Sequence, residues 1–590
     1  MRGVRIRVAA ALVALAVIVP LGTNGTPALG VTASPKRVLI VVFDQMIPKY
    51  ADQFNMPNFR ELRGQGTYFK QAYLGYMASE TVISHNVIVS GQFPSHMGWV
   101  DEAYRDTDNI VGPTYATPTP QGAMHITGDF GQSQFNKIVQ TAGYPKLQDY
   151  LHGVDPTKQF IMVGEKNYAV RTAIASTGTA TNLIAVHMSS GKTAATPGTL
   201  PPTGCTANVG PTYREPSGYR VPPYLFTEGA SGGNCGRFVI NADRTTNNYG
   251  TLSAFPAWLY PEDGNRFFPG TDASAQAGHT GGDVWVTDAA IDMMQTEDWS
   301  GMFVTLGAID KAGHMWGAQQ DADNFTGNCN ATDLALRGAN QTHVRCAAEI
   351  ADAQLGKLRT AVAAYDAAHG GQTLIVLTAD HGATYGKAFY GKTGSRDSDS
   401  NWYYGPSVYD GGALDTVTYN RPSPALKPLI DTGNVQFSYQ STGIETWLTS
   451  HTLTEKQEAA AIMKTLPGVM AAYYRDGDHF TLYGVNKTPA SEKSWWMAHG
   501  QEIVDTMVSS NGPDVVGLLH DRVGYGAYGD HGGAQESVQR VPVVFWSPSL
   551  AANKVNQGGF RSIDILPTIL QAMGIPIPPG TMDGSAWGLT

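Results

Sequence analysis

Three stretches of this chain end alike, in a run of β-branched and apolar residues with an aspartate at or just after the end. Arg37 to Phe43 (RVLIVVF) stops at Asp44, Met302 to Leu306 (MFVTL) leads to Asp310, and Thr373 to Thr378 (TLIVLT) leads to Asp380. Apolar runs without alternation mark parallel strands covered on both faces. Helical stretches, Asp283 to Met294 and Ala347 to Ala368, precede the second and third, and a fourth strand, Val541 to Trp546, follows His531. Strands alternating with helices predict an α/β fold with a mostly parallel central sheet flanked by helices. Ligands of such sheets sit beyond the carboxyl ends of the strands, so three acids at strand ends should converge on one site.

Two regions break the alternation. Residues 185–280 are rich in Gly, Pro, Thr and Asn, and residues 385–500 are rich in Tyr, Ser and Gly before turning helical around Glu455 to Thr465. Both are expected to be inserted cap or loop regions over the carboxyl edge of one catalytic domain spanning 36–590. Within the second, Val469 to Tyr483 predicts a hairpin with an Asp-Gly turn. Hydrophobic residues make up 42% and charged residues 15%, a globular composition. The net charge of -10 argues against nucleic-acid binding.

The first 30 residues have the form of a signal peptide. Arg2, Arg5 and Arg7 precede an apolar stretch from Val8 to Leu21, with small residues and cleavage expected after Gly30 or Ala33. The apolar run is shorter than the ~20 residues a membrane span needs, so a secreted or periplasmic protein with no span after cleavage is expected. Four cysteines, Cys205, Cys235, Cys329 and Cys346, fit an exported chain with disulfides. Cys205–Cys235 and Cys329–Cys346 are the simplest of three connectivities, and no CxxC spacing supports a zinc site at them.

The acids acquire meaning beside the histidines. Asp310 and His314 occur in IDKAGHMWG, Asp380 and His381 in TADHG, and His531 in GDHGG. With Asp44 these are six carboxylate and imidazole ligands, enough for two Zn2+ with three protein ligands each, though other divalent metals share such donors. Thr81 opens the stretch TVISHNVIVSG, which reads as a helix ending at Gly91. A helix start beside a hydroxyl favours an anion there, and a bound metal would stabilise the alkoxide. On local sequence alone, Thr81 would be read as a helix cap.

In these motifs the chain resembles the alkaline phosphatase superfamily, and most of all its nucleotide pyrophosphatase/phosphodiesterase branch. Thr81, Val82, Ile83, Ser84 and His85, then Ser90, Gly91, Pro94 and Gly98, follow the branch's nucleophile motif in order. Asp44, Asp310 with His314, Asp380 with His381, and His531 with Gly532 follow its metal motifs, and the ending SIDILPTILQAMGIPIPPGTMDG resembles the superfamily's closing helix. The resemblance implies that Asp310, His314 and His531 hold one zinc. Asp44, Asp380 and His381 would hold the other, which also contacts Thr81. It implies two in-line displacements on a small phosphate ester, by way of a phospho-threonine. His85 would support the site, and His96 is a structural histidine.

The pattern departs in places. The branch's Pro-Asn after the nucleophile is Ile83-Ser84, and Glu102 stands where an Asn usually donates to a phosphate oxygen. Some secreted monoesterases of the superfamily carry a Lys-x-Arg that binds the phosphate. Here Lys166, Asn167 and Tyr168 occupy that stretch, so Lys166 is either a phosphate contact or a surface charge. A Lys166 that faces the metals favours a phosphomonoesterase; otherwise a phosphodiesterase or nucleotide pyrophosphatase gains. Cytosolic mutases with this core do not fit a signal peptide, and sulfatases need a Cys or Ser in place of Thr81. An inactive binding protein on the scaffold does not fit six intact ligands.

Overall fold

A computed structural model describes residues 34–112, 122–187, 219–220, 222, 281–316, 318–319, 343–384, 395–396, 402–403, 426–525, 529–550 and 553–589. The signal-peptide segment, most of 185–280, most of 385–425 and three of the four cysteines lie outside the described residues.

The first strand among the described residues is β1 (Arg37–Phe43), every residue of which is buried. After β2 (Thr67–Phe69) comes helix α1 (Thr81–Ser90), also buried throughout. It stops at Gly91, whose φ of 65° lies in the left-handed region and whose N–H bonds back to Val87 O at 2.9 Å. Then follow β3 (Gln159–Gly164), α2 (Asn167–Ile174), β4 (Leu183–His187), α3 (Gly281–Thr296), β5 (Trp299–Leu306), α4 (Ala308–Trp316), α5 (His343–His369) and β6 (Thr373–Thr378).

The chain next builds a second sheet from β7 (Val435–Gln440), β8 (Gly443–Leu448), α6 (Leu453–Thr465), β9 (Val469–Asp476), β10 (His479–Val485) and β11 (Val515–Leu519). Helix α6 starts on a reciprocal cap between Thr452 and Glu455. The expected hairpin is β9–β10, turning at Gly477 with φ 65°. Its sheet is antiparallel in the order β7-β8-β11-β9-β10. The central strand β11 lies beyond residue 500, so the inserted sheet runs further than the sequence pattern indicated. The chain returns through β12 (Val544–Trp546), β13 (Lys554–Asn556) and α7 (Ile565–Met573).

The main sheet has the order β13-β2-β12-β6-β1-β5-β3-β4. Strands β6, β1, β5, β3 and β4 are parallel neighbours. The fourth expected strand, β12, is shorter than predicted and runs antiparallel to both β6 and β2. The parallel block positions the site. Phe43 pairs with Leu306, Val42 with Thr378 and Gly164 with Thr305, so β1, β6, β5 and β3 end level on one edge.

Candidate active site

The predicted site residues reach that edge from several different elements. Asp44 follows β1, Lys166 follows β3, Asp310 and His314 lie one turn apart on α4, and Asp380 and His381 follow β6. Thr81 is the first residue of α1 rather than its cap, a position taken by Glu80. His531 arrives on the loop before β12, held by its Nδ1 3.2 Å from Ser79 O.

These side chains form two adjoining groups. In one, His314 Nε2 lies 3.1 Å from Asp310 Oδ1 and 3.3 Å from His531 Nε2, and His531 Nε2 lies 3.6 Å from Asp310 Oδ1. In the other, His381 Nε2 lies 3.5 Å from Asp44 Oδ1, 3.4 Å from Asp380 Oδ2 and 3.3 Å from Thr81 Oγ1. The rings of His381 and His531 stack between them, centroids 3.6 Å apart.

The donors fit divalent metals. Asp44 Oδ1 and Asp380 Oδ2 receive no hydrogen bond among the described residues, although both are buried, and three buried acids, Asp44, Asp310 and Asp380, share the one Lys166 ammonium at this edge. Burial, then the charge of Asp380, pushes the Asp44 carboxyl well above the usual carboxylate range. Acids gathered with too little positive charge are the mark of a cation site. Burial also lowers His381 and His531, which keeps the imidazoles neutral and able to ligate.

Lys166 is buried here, not on the surface. Its ammonium lies 2.7 Å from Asp44 Oδ2, 2.6 Å from Asp310 Oδ2 and 3.1 Å from Thr81 Oγ1, so it touches both groups and the hydroxyl. Burial opposes its charge, but Asp310 and Asp44 outweigh burial and hold it well above the ordinary lysine value.

His96 keeps out of both groups, whereas His85 borders the second, its Nδ1 3.6 Å from Asp380 Oδ2. The ring nitrogens of His85 meet Thr81 O at 2.8 Å and Thr305 Oγ1 at 2.9 Å, which steadies the first turn of α1. His96 pairs with Asp583 at 2.7 Å. One contributor escaped the sequence reading. Gln45 sits at φ 67°, a left-handed conformation that costs a non-glycine residue roughly 1–2 kcal/mol. From there its N–H reaches Asp380 Oδ1 at 3.1 Å and its Nε2 reaches Asp310 Oδ1 at 3.0 Å, bracing one acid of each group. Adjacency to Asp44 was the only signal for it.

Residues 38–396, more than half of the chain, match the type I phosphodiesterase/nucleotide pyrophosphatase family. The chain belongs to this family. It is a hydrolase acting on phosphoric-ester bonds. Alkaline phosphatase PhoD of Zymomonas mobilis subsp. mobilis is 23% identical over 578 residues, covering 90% of this chain and 86% of that protein. The crystal structure of wild-type alkaline phosphatase PafA superposes with a TM-score of 0.54 at 15% identity, covering 93% of this chain and 98% of that one. That likeness carries the alkaline phosphatase-like fold. Human ectonucleotide pyrophosphatase/phosphodiesterase 5 superposes with a TM-score of 0.49 at 10% identity, covering 93% of this chain and 97% of that one.

Proposed function

We propose that this family member is an exported phosphomonoesterase that uses Thr81 as its nucleophile. Asp310, His314 and His531 would hold one divalent cation, and Asp44, Asp380 and His381 a second beside Thr81, with zinc the metal this donor set suits best. Bound there, the cations would supply Lewis acidity and charge neutralisation for a transferred phosphoryl group.

The protein's own part follows from its residues. Thr81 Oγ1 is the atom that would attack phosphorus, with the ester oxygen leaving on the opposite side. The phospho-threonine so formed would then be hydrolysed by water. The start of α1 would favour an anion beside Thr81. His85 holds the Thr81 carbonyl, and Gln45 keeps the acids at a fixed spacing.

The observation that carries the monoester reading is Lys166, its ammonium 3.1 Å from Thr81 Oγ1. A fixed positive charge beside the nucleophile favours a phosphoryl group with two negative charges over a diester with one. The export reading rests on the amino-terminal sequence, and no helix among the described residues is long and apolar enough to cross a membrane. Cys346 is buried, and we assign it Cys329 as its disulfide partner.

Steady-state kinetics of the zinc-loaded protein on para-nitrophenyl phosphate and bis-para-nitrophenyl phosphate tests the function. A monoester preference, lost with chelator and restored by zinc, is expected. A diester preference would return the chain to the phosphodiesterase reading.

A further inference from the structure

Glu102 belongs to neither donor group, yet its carboxylate reaches the start of α1. Its Oε1 accepts the backbone N–H of Val82 at 3.4 Å, and its Oε2 accepts the Tyr439 hydroxyl at 3.3 Å. The Glu102 carbonyl accepts the Thr127 N–H at 2.8 Å, which fixes the loop carrying the side chain. Tyr439 lies on β7, so the inserted sheet takes part in holding this carboxylate.

Val82 is the second residue of α1, and its N–H is one of the donors that a helix start leaves open to an anion. A phosphoryl group on its way to Thr81 would bring its oxygens to this donor, where it meets a carboxylate already in place. We propose that Glu102 is a specificity-determining residue that penalises the extra charge of a dianionic phosphoryl group. It thereby sets how strongly the enzyme prefers monoesters to diesters. Lys166 and Glu102 would then act in opposite senses on one transferred group. The inference rests on the phosphoester reading above.

The test uses zinc-loaded wild type, Glu102→Gln and Glu102→Asp. Binding of inorganic phosphate is measured by titration calorimetry where phosphate is dianionic, and kcat/KM is measured on the same two nitrophenyl esters. Removing one nearby charge in Glu102→Gln should tighten phosphate roughly tenfold and raise the monoester-to-diester ratio by a similar factor. Glu102→Asp keeps the charge and should stay within about threefold of wild type. Unchanged phosphate affinity in a folded, metal-replete Glu102→Gln overturns the proposal. An equal gain in Glu102→Asp also overturns it, because the effect is then one of space rather than charge. If wild type hydrolyses neither ester while Glu102→Gln still binds phosphate more tightly, the charge effect stands and the phosphatase reading falls.

Discussion

Lys166 shows how much a single side chain depends on its surroundings. A buried ammonium costs several kcal/mol unless it is paired, and Asp44 and Asp310 pair it at 2.7 and 2.6 Å. If it also receives the phosphoryl group, Lys166→Ala should lower kcat/KM for the monoester roughly tenfold more than for the diester. Parallel kinetics on the two substrates check this, and equal losses would reduce Lys166 to a structural counter-ion. The metal-type residues were legible in the sequence because Asp and His at strand ends have few other reasons to recur in order. The placement of Lys166 was not legible, since a lone lysine carries no periodicity and its burial depends on the direction in which α2 leaves β3. Gln45 was hidden for a similar reason: its role lies in a backbone conformation rather than in its residue type.

Among the elements, α1 carries Thr81, the proposed nucleophile, and ends where the closing segment meets it. The Gly91 carbonyl accepts the N–H groups of Asp583 and Gly584 at 3.0 and 3.1 Å. A Cβ at Gly91 would lie 3.2 Å from both Ile563 O and Met582 Sδ, in a left-handed conformation. Gly91→Ala should therefore cost about 1–2 kcal/mol in denaturant unfolding, with activity per folded molecule nearly kept. A variant as stable as wild type would show that the helix end is not under this constraint. Strands β1, β5 and β6 were readable from unbroken apolar runs, because burial on both faces leaves no alternation. The direction of β12 was not readable, since a short apolar run looks the same in either sense. The pairing of β11 between β8 and β9 joins residues far apart in sequence, so no local pattern announces it.

For the whole molecule, the candidate site is where six separate segments of the chain meet, contributing Asp44, Thr81, Lys166, Asp310 with His314, Asp380 with His381, and His531. Cations there would offset the repulsion among buried acids, and binding to the folded state alone adds stability. Chelation should lower the thermal midpoint by about 4 °C or more, reversibly on adding zinc, as followed by calorimetry. A midpoint indifferent to chelator would mean that the acids are not bridged by metal. Thr81 as the nucleophile of an intact two-metal site is tested by turnover and metal content of Thr81→Ala, purified beside wild type. Two bound metals per chain and at least a roughly thousandfold loss of phosphate-ester hydrolysis are expected. Near-normal hydrolysis by that variant would contradict that role.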